Sequence, residues 1–211
     1  MQALPAWIAP RVIEYASAGP NDYEGLLPVV RSACAGLSDF VLLGWSFSGP
    51  LSLMLAAESP PGLRGVVICA SFVSYPWPPL RWFRWAVVTP VARLFPLGAK
   101  LLRAIGFYGS TDIRQDQEEV FRRVAPSAFA ARSRAALGVD VRLDAAKCPV
   151  PVLYLAASHD IVVPRWNVGA VAAAVPHVEV VTIRGPHLAL RTNPAAGAAV
   201  VEKFVASLGS A

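Results

Sequence analysis

Short, continuously apolar stretches that alternate with helical stretches are the feature of this sequence that most constrains its fold. One of them reads FVLLGW, from Phe40 to Trp45. A strand that is apolar on both faces belongs in a parallel sheet covered by helices on each side. The predicted strands are Val12–Tyr15, Phe40–Trp45, Val66–Ala70, Val150–Ala157 and Val178–Ile183. The sequence therefore predicts an α/β fold with helices on both faces of a mostly parallel sheet of about five strands.

Helical segments separate these predicted strands. Asp22 is positioned to cap a helix that runs to about Ala35 and ends at Gly36. Further predicted helices cover Ser48–Glu58, Trp166–Ala174 and Pro194–Leu208. Residues 76–147 differ, because they are rich in Pro and Trp at first, then helical in period, and contain no convincing strand. We predict that residues 1–75 and 148–211 form the α/β core and that residues 76–147 form a helical cap inserted into it.

The charge balance excludes two classes of protein. The net charge is +5, but only 16% of the residues are charged, which is too few for a disordered chain. The arginines between Arg81 and Arg142 are spread among apolar residues, and no nucleic-acid-binding signature accompanies them, so we expect no nucleic-acid partner. A basic surface on one part of the fold is the simplest interpretation, and attraction to an anionic substrate or a membrane surface is the alternative.

The apolar stretch Trp82–Ile105 is not expected to insert stably into a membrane. Pro90 and Pro96 interrupt it, and several arginines and a lysine charge it. The three cysteines are widely spaced and form no C-x-x-C pair, so neither a disulfide framework nor a metal site is indicated. Since the N-terminus carries no recognisable signal peptide and the cysteines indicate a reducing compartment, we expect a cytoplasmic protein.

The segment FVLLGWSFSGP predicts a serine nucleophile. It reads as a strand, a sharp turn that contains Ser46, and the start of a helix. Gly44 and Ser48, two residues to either side, are small because backbones crowd together at such a turn. The helix that follows directs the positive end of its dipole at the site, so the backbone N–H of Phe47 is placed to stabilise an oxyanion.

Two alternatives remain for this segment. If Ser48 were the nucleophile, Ser46 and Pro50 would occupy the two small positions, and proline fits the second of them poorly. A turn of small residues between a strand and a helix, without any catalytic role, would also produce the pattern.

A base and an orienting carboxylate are predicted at the same edge of the sheet. A nucleophilic serine needs a base, and that base needs a carboxylate to orient it. His187 lies in the loop after the last predicted strand, and Asp160 lies in the loop after the strand before it. The carboxyl ends of parallel strands form the ligand-binding edge of an open α/β sheet. His177 precedes a strand and falls at the opposite edge, and His159 is expected to be a surface residue.

These motifs resemble those of the α/β-hydrolase superfamily. The chain order Ser46, Asp160, His187 is that of the superfamily, and the D-x-x-V-P loop at Asp160 and the G-P-H loop ending at His187 match its acid and base loops. Within the superfamily, the segment from Phe40 onward is similar to small bacterial esterases of the pimeloyl-ACP methyl ester esterase type, which carry a G-W-S-x-G-G turn. The resemblance implies a cap, cofactor-free catalysis and attack on a carboxylic ester or thioester.

The chain departs from this pattern upstream of Ser46. Members of the superfamily usually begin with further strands, one of which ends in a His-Gly type loop that completes the oxyanion hole, and no such loop is found here. Either the sequence lacks N-terminal strands, or its first strand occupies the vacant place. In the second case we expect Val12–Tyr15 to pair in parallel with Phe40–Gly44, and the turn Ser17–Pro20 could supply the second oxyanion donor.

The sequence thus predicts a serine hydrolase that cleaves a small-molecule ester or thioester with an apolar acyl group, which an acyl carrier could deliver. Ser46 is the predicted nucleophile, His187 the base and Asp160 the acid. Trp45, Trp82 and Trp85 are the predicted substrate-binding residues, since large apolar side chains suit an acyl pocket. Two alternatives stay open: a non-catalytic binding protein of the same fold, because the oxyanion loop is missing, and an acyltransferase or perhydrolase that uses the same three residues.

Overall fold

The computed structural model describes residues 4–104 and 111–209 of the 211-residue chain. Within these residues four parallel strands form one sheet in the order β1-β2-β3-β4. The strands are β1 (Phe40–Trp45), β2 (Leu63–Cys69), β3 (Val152–Ala157) and β4 (Val178–Ile183). The predicted α/β class is confirmed, and these four strands lie at four of the predicted positions.

Helices precede, connect and follow the strands. The first part of the chain contributes α1 (Tyr23–Cys34) and α2 (Ser48–Ala57). A 3₁₀ helix (Pro78–Ala86) then precedes α3 (Thr89–Ala92), α4 (Phe95–Ala104), α5 (Thr111–Arg123), α6 (Pro126–Ala136) and α7 (Arg142–Ala146). The last part contains α8 (Trp166–Ala174), α9 (Ala189–Thr192) and α10 (Pro194–Leu208). As predicted, Asp22 caps α1, since its carboxylate accepts a hydrogen bond from the Gly25 N–H at 2.8 Å.

Two apolar clusters cover the two faces of the sheet, which explains why the two central strands, β2 and β3, are largely apolar. Along β2, Val66 and Ile68 belong to one cluster, while Val67 and Cys69 belong to the other. The first cluster is completed by α1, α2, α7 and α8. The second is completed by α9 and α10, with Phe204 at its centre. Successive side chains of a strand point to opposite faces, and along β3 and most of β2 both faces are buried.

The prediction of a strand at Val12–Tyr15 is wrong. The segment has no sheet pairing, and β1 has β2 as its one strand partner within the described residues. The carbonyl oxygens of Tyr15 and Ala16 instead accept hydrogen bonds from the Arg132 guanidinium at 3.2 Å and 3.1 Å. The carbonyl at the end of the segment is thus satisfied by a side chain rather than by a neighbouring strand.

The predicted cap, residues 76–147, contains helices and turns in its described part, as the sequence indicates. Its two ends meet where Ser74 forms an antiparallel bridge with Asp140. Two backbone hydrogen bonds flank this bridge, from Tyr75 N–H to Val139 O and from Val141 N–H to Val73 O. The division of the chain into a core and a cap remains a prediction.

Among residues 4–104 and 111–209, no helix combines the length and the apolarity needed to cross a bilayer.

Candidate active site

Ser46 occupies the turn between β1 and α2 in a strained backbone conformation. Its φ angle is +53°, in the left-handed region that side chains other than Gly rarely adopt. Three hydrogen bonds hold it there. The Ser46 N–H donates to Cys69 O at 2.9 Å, and Ser46 O accepts from the Gly49 N–H at 3.1 Å and from the Ser71 hydroxyl at 2.7 Å. The turn is therefore fixed by β2 and its following loop as well as by its own residues.

Two glycines make the close approach at this turn possible. A Cβ atom at Gly44 would lie 2.5 Å from Ser52 Oγ and 2.6 Å from Ser48 O, and one at Gly49 would clash with the Ser71 side chain. Ser48, in contrast, has room for its side chain and accepts a hydrogen bond from the Tyr15 hydroxyl at 3.3 Å. The second crowded position is thus Gly49 rather than Ser48, which explains how the chain tolerates serine where G-x-S-x-G has glycine.

The structure brings the side chains of Ser46, His187 and Asp160 into one hydrogen-bonded row. His187 Nε2 lies 2.8 Å from Ser46 Oγ, and His187 Nδ1 lies 2.8 Å from Asp160 Oδ2. The His187 and Asp160 side chains are 12% and 4% exposed. A proton on Nδ1 shared with the carboxylate leaves Nε2 free to accept the serine proton, which is the arrangement that a general base requires.

Backbone donors fix the Asp160 carboxylate. Its Oδ1 accepts from the N–H groups of Val162 and Val163 at 2.9 Å and 2.8 Å, so Oδ2 is directed at His187.

Cys69 lies at the end of β2, close to the site. Burial, and then the Asp160 charge, raise the pKa of the Cys69 thiol to about 12. That buried cysteine is therefore a neutral thiol and does not compete with Ser46 as a nucleophile.

Trp45 and Ser158 hold the loop that carries His187. The Trp45 indole N–H donates to His187 O at 3.3 Å, and the Gly185 N–H donates to Ser158 Oγ at 3.2 Å. The neighbouring His159 donates its backbone N–H to Gly185 O at 2.9 Å, so the acid loop and the base loop are joined through their backbones. Trp45 thus has a partner in the base loop, and its predicted contact with substrate stays a prediction.

His159 and His177 lie apart from the Ser46 hydroxyl, as expected. The His159 ring is exposed and its Nδ1 lies 2.7 Å from Ser158 Oγ. His177 precedes β4, at the sheet edge opposite to the loops of Asp160 and His187.

Phe47 follows Ser46 and is the N-cap residue of α2. Its ring stacks on the Tyr23 ring with a centroid distance of 4.6 Å. Within the described residues its backbone N–H has no hydrogen-bond acceptor, so this donor is available at the positive end of α2.

Tyr15 and Arg132 lie beside the nucleophile turn, and sequence reasoning did not assign them to the site. The Arg132 guanidinium lies 5.6 Å from the centroid of the Tyr15 ring and bonds to Asn21 Oδ1 at 2.8 Å. Burial raises the pKa of Tyr15, so its hydroxyl stays protonated as a hydrogen-bond donor well above neutral pH. No signal in the sequence links the two residues, because 117 positions separate them.

The predicted donor turn Ser17–Pro20 has other partners. Gly19 O accepts from the Asn21 side chain at 3.1 Å, and Ser17 Oγ accepts from the Ala125 N–H at 3.4 Å. Its role in oxyanion binding stays a prediction.

The predicted substrate residues Trp82 and Trp85 lie in the 3₁₀ helix Pro78–Ala86 and are 70% and 72% exposed. Their assignment to the substrate also stays a prediction. Phe107, another aromatic residue of the predicted cap, lies outside the described residues.

The start of the predicted cap is attached to the acid loop. The Trp77 indole N–H donates to Val162 O at 2.9 Å, and the Asn167 amide donates to Pro76 O at 3.2 Å. The rings of Trp77 and Trp166 meet edge to face, with centroids 5.1 Å apart. The first residues of the predicted cap therefore contact the loop of Asp160, at Val162.

The sequence from residue 6 to residue 200 matches the alpha/beta hydrolase family. The chain belongs to this family. No curated protein sequence matches the chain.

Solved structures of this fold resemble the chain at low sequence identity. A bromoperoxidase from Bacillus anthracis has a TM-score of 0.75 and 17% identity, over 89% of this chain and 75% of that one. An enol-lactonase from Burkholderia xenovorans LB400 has a TM-score of 0.71 and 19% identity, over 89% and 74%. A thermophilic esterase from Thermogutta terrifontis has a TM-score of 0.69 and 20% identity, over 90% and 74%. These likenesses establish the fold.

Proposed function

We propose that this protein is a serine hydrolase that cleaves a carboxylic ester or thioester with an apolar acyl group. The observation that carries the proposal is the continuous row of hydrogen bonds from Ser46 Oγ through His187 to Asp160, with 2.8 Å at each step. Structural neighbours named as an esterase and an enol-lactonase support the same reaction class. The sequence resemblance to pimeloyl-ACP methyl ester esterases favours an acyl group delivered as a small ester or on a carrier.

In the proposed reaction Ser46 Oγ attacks the carbonyl carbon while its proton moves to His187 Nε2. The tetrahedral intermediate collapses with cleavage of the C–O or C–S bond, and His187 returns the proton to the leaving alkoxide or thiolate. Water then attacks the acyl-serine, transfers a proton to His187 and releases the carboxylic acid as Ser46 regains its hydrogen. Asp160 holds the His187 tautomer and stabilises its cationic form throughout.

The oxyanion needs donors, and we assign two. The first is the Phe47 N–H at the start of α2, which has no acceptor among the described residues. As the second we propose the Tyr15 hydroxyl beside the first turn of the same helix; it donates to Ser48 Oγ in the free protein, so it must turn from Ser48 to the oxyanion when substrate binds. Removal of one such donor from an enzyme typically lowers kcat by about 100- to 1,000-fold.

A perhydrolase is the second candidate, because one structural neighbour is named a bromoperoxidase. In that reaction hydrogen peroxide, rather than water, attacks the acyl-serine and releases a peracid. Product analysis with and without peroxide distinguishes the two: a carboxylic acid alone supports hydrolysis, and peracid formation supports the alternative.

The test of the proposal is labelling with a fluorophosphonate probe. We expect one labelled site, mapped by mass spectrometry to Ser46, and no labelling in Ser46→Ala. Ser59→Ala is a matched control, since Ser59 has the same φ angle of +53° but lies on an exposed turn, and labelling should persist there. Labelling at Ser48, or none in a folded sample, would contradict the proposal, and the latter would favour a binding protein.

A further inference from the structure

The 3₁₀ helix Pro78–Ala86 shows the reverse of the usual burial pattern. None of its nine residues is buried. Its large apolar side chains are among the most exposed in the described chain, with Trp82, Phe83 and Trp85 at 70%, 61% and 72%. Monomeric soluble proteins rarely leave such a group of aromatic side chains in water unless it has a partner.

The periodicity of this helix explains which side chains face outward. A 3₁₀ helix has three residues per turn, so residues three apart lie in one row. Trp82 and Trp85 form one exposed row, and Leu80 and Phe83 form the next.

Arg81 and Arg84 occupy the third row; both are exposed, and their guanidinium groups also touch the protein. The Arg81 guanidinium lies 4.6 Å from the centroid of the Tyr75 ring, and Arg84 packs so closely against Gly138 that a Cβ atom there would clash with it. The Arg81 guanidinium also lies 4.8 Å from the centroid of the Trp82 ring, so the cations lie beside the exposed aromatic side chains.

Further exposed apolar residues follow the 3₁₀ helix in the sequence. Val88, Val91, Leu94 and Leu97 follow at three-residue steps and are 41%, 40%, 61% and 65% exposed. Phe95, by contrast, packs against Phe129 with a centroid distance of 5.2 Å. We call the combined outward-facing set the aromatic surface. Its members are Leu80, Trp82, Phe83, Trp85, Leu94 and Leu97.

The segment that carries the aromatic surface has charges of one sign, although the Asp140 carboxylate from outside it interacts with Arg81. Residues 76–104 contain no Asp or Glu. Their cationic residues are Arg81, Arg84, Arg93, Lys100 and Arg103. A second copy of this chain would bring the same cations against themselves, which is unfavourable. An anionic partner surface is complementary to them.

We propose that the aromatic surface binds the face of an anionic lipid bilayer. Tryptophan side chains prefer the boundary between headgroups and acyl chains, and apolar residues flanked by Lys and Arg bind there in the interfacial plane without spanning the membrane. Each cation near an anionic leaflet contributes about 1 kcal/mol, or roughly a fivefold gain in binding. This inference does not depend on the proposed hydrolase activity, but it would place the acid loop, attached through Trp77 and Pro76, close to lipid.

The test is co-sedimentation of the full chain with vesicles. We expect binding to phosphatidylcholine mixed with phosphatidylglycerol, much weaker binding to phosphatidylcholine alone, and loss of binding as salt is raised. The double variant Trp82→Ser/Trp85→Ser should lower the partition coefficient by at least about tenfold. Arg93→Gln/Lys100→Gln should lower it for the anionic vesicles only.

Matched controls separate this surface from exposed apolar residues in general. Trp7 and Leu143 are 56% and 80% exposed elsewhere on the molecule, so Trp7→Ser and Leu143→Ser should bind vesicles as the wild type does. Ser46→Ala should also bind normally, which keeps failure of the enzymatic proposal distinct from failure of this one. Thermal melts verify that each variant is folded.

Two results would overturn the proposal. One is a folded wild-type chain that binds neither type of vesicle. The other is a dimer, seen by sedimentation velocity, that is lost in Trp82→Ser/Trp85→Ser, because a second copy would then cover the surface.

Discussion

Helix α2 and the 3₁₀ helix Pro78–Ala86 are both rich in apolar residues, yet the fold treats them in opposite ways. Seven of the ten residues of α2 are buried, and Leu53 and Leu55 are 0% exposed. None of the nine residues of the 3₁₀ helix is buried. Helix α2 lies against β1, β2, α1 and α7, whereas the 3₁₀ helix has α6 as its main neighbour. Apolar content therefore predicts burial only where a sheet supplies a surface to pack against.

The difference is also one of function. Helix α2 begins beside Ser46, the proposed nucleophile, and the strained Ser46 backbone is held by hydrogen bonds from Ser71 and from Gly49 of this helix. A site that must hold its side chains at hydrogen-bond distance benefits from rigid support. The 3₁₀ helix has little such support, which suits a surface that meets a fluid partner rather than a reacting atom.

The largest expected effect is on the turnover rate, from a substitution in the candidate active site beside α2. Asp160→Asn keeps the shape of the side chain but removes the charge that stabilises protonated His187, and it favours the wrong tautomer. The corresponding change in a serine protease triad, an established example, lowers kcat by about 10⁴. We expect a loss of similar size in turnover of a p-nitrophenyl ester, with little change in the melting temperature.

His159→Ala is the control for this experiment, since it removes the neighbouring side chain but leaves the row of hydrogen bonds in place. Its turnover should be nearly that of the wild type. If Asp160→Asn turned over as fast as the wild type, another carboxylate would orient His187, or His187 would not be the base.

The next effect compares stability directly between the two helices. Leu53→Ala removes a fully buried side chain, which should lower the free energy of unfolding by about 2–5 kcal/mol. Trp82→Ser removes a larger side chain, yet one that is 70% exposed, so its cost should stay within about 0.5 kcal/mol. Urea denaturation of both variants measures the difference. Equal losses would mean that the 3₁₀ helix is packed in solution and that the comparison fails.

A smaller effect concerns Tyr15, whose hydroxyl touches the first turn of α2. Tyr15→Phe keeps the ring under Arg132 and removes only the oxygen that bonds to Ser48. We expect kcat to fall by about 100-fold with little change in KM or in melting temperature, since an oxyanion donor acts in the transition state. An unchanged kcat in this variant would rule out Tyr15 as the second oxyanion donor. A lowered melting temperature without a kinetic change would indicate a structural role.

The smallest effect comes from two helical glycines in opposite surroundings. A Cβ atom at Gly98, in α4 of the predicted cap, would meet nothing within 4 Å. Gly98→Ala should therefore raise the free energy of unfolding by about 0.5–1 kcal/mol through its helix propensity. Gly49→Ala in α2 should destabilise instead, because its Cβ atom would clash with Ser71. Thermal melts of both variants measure whether each substitution raises or lowers the melting temperature. A higher melting temperature in Gly49→Ala would show that α2 is packed less tightly than described.

Much of the fold follows from local pattern in the sequence. Continuously apolar strands, the Asp22 cap and the first-turn proline Pro194 each act over a few residues, so they locate four strands and the principal helices without knowledge of the tertiary structure. The positions of Ser46, Asp160 and His187 also follow, because the carboxyl ends of parallel strands meet at one edge. Their meeting at 2.8 Å is the geometric consequence of that order.

Only the tertiary structure decided the rest, because the deciding contacts join distant parts of the chain. The segment Val12–Tyr15 has the composition of a strand, but Arg132, more than 100 residues away, bonds its end and it stays outside the sheet. The bond from Tyr15 to Ser48 and that from Ser71 to Ser46 likewise have no local signal. The exposure of Trp82 and Trp85 depends on which elements pack over them. A sequence pattern reports the preference of a residue for burial, and only the assembled fold provides or withholds the partner.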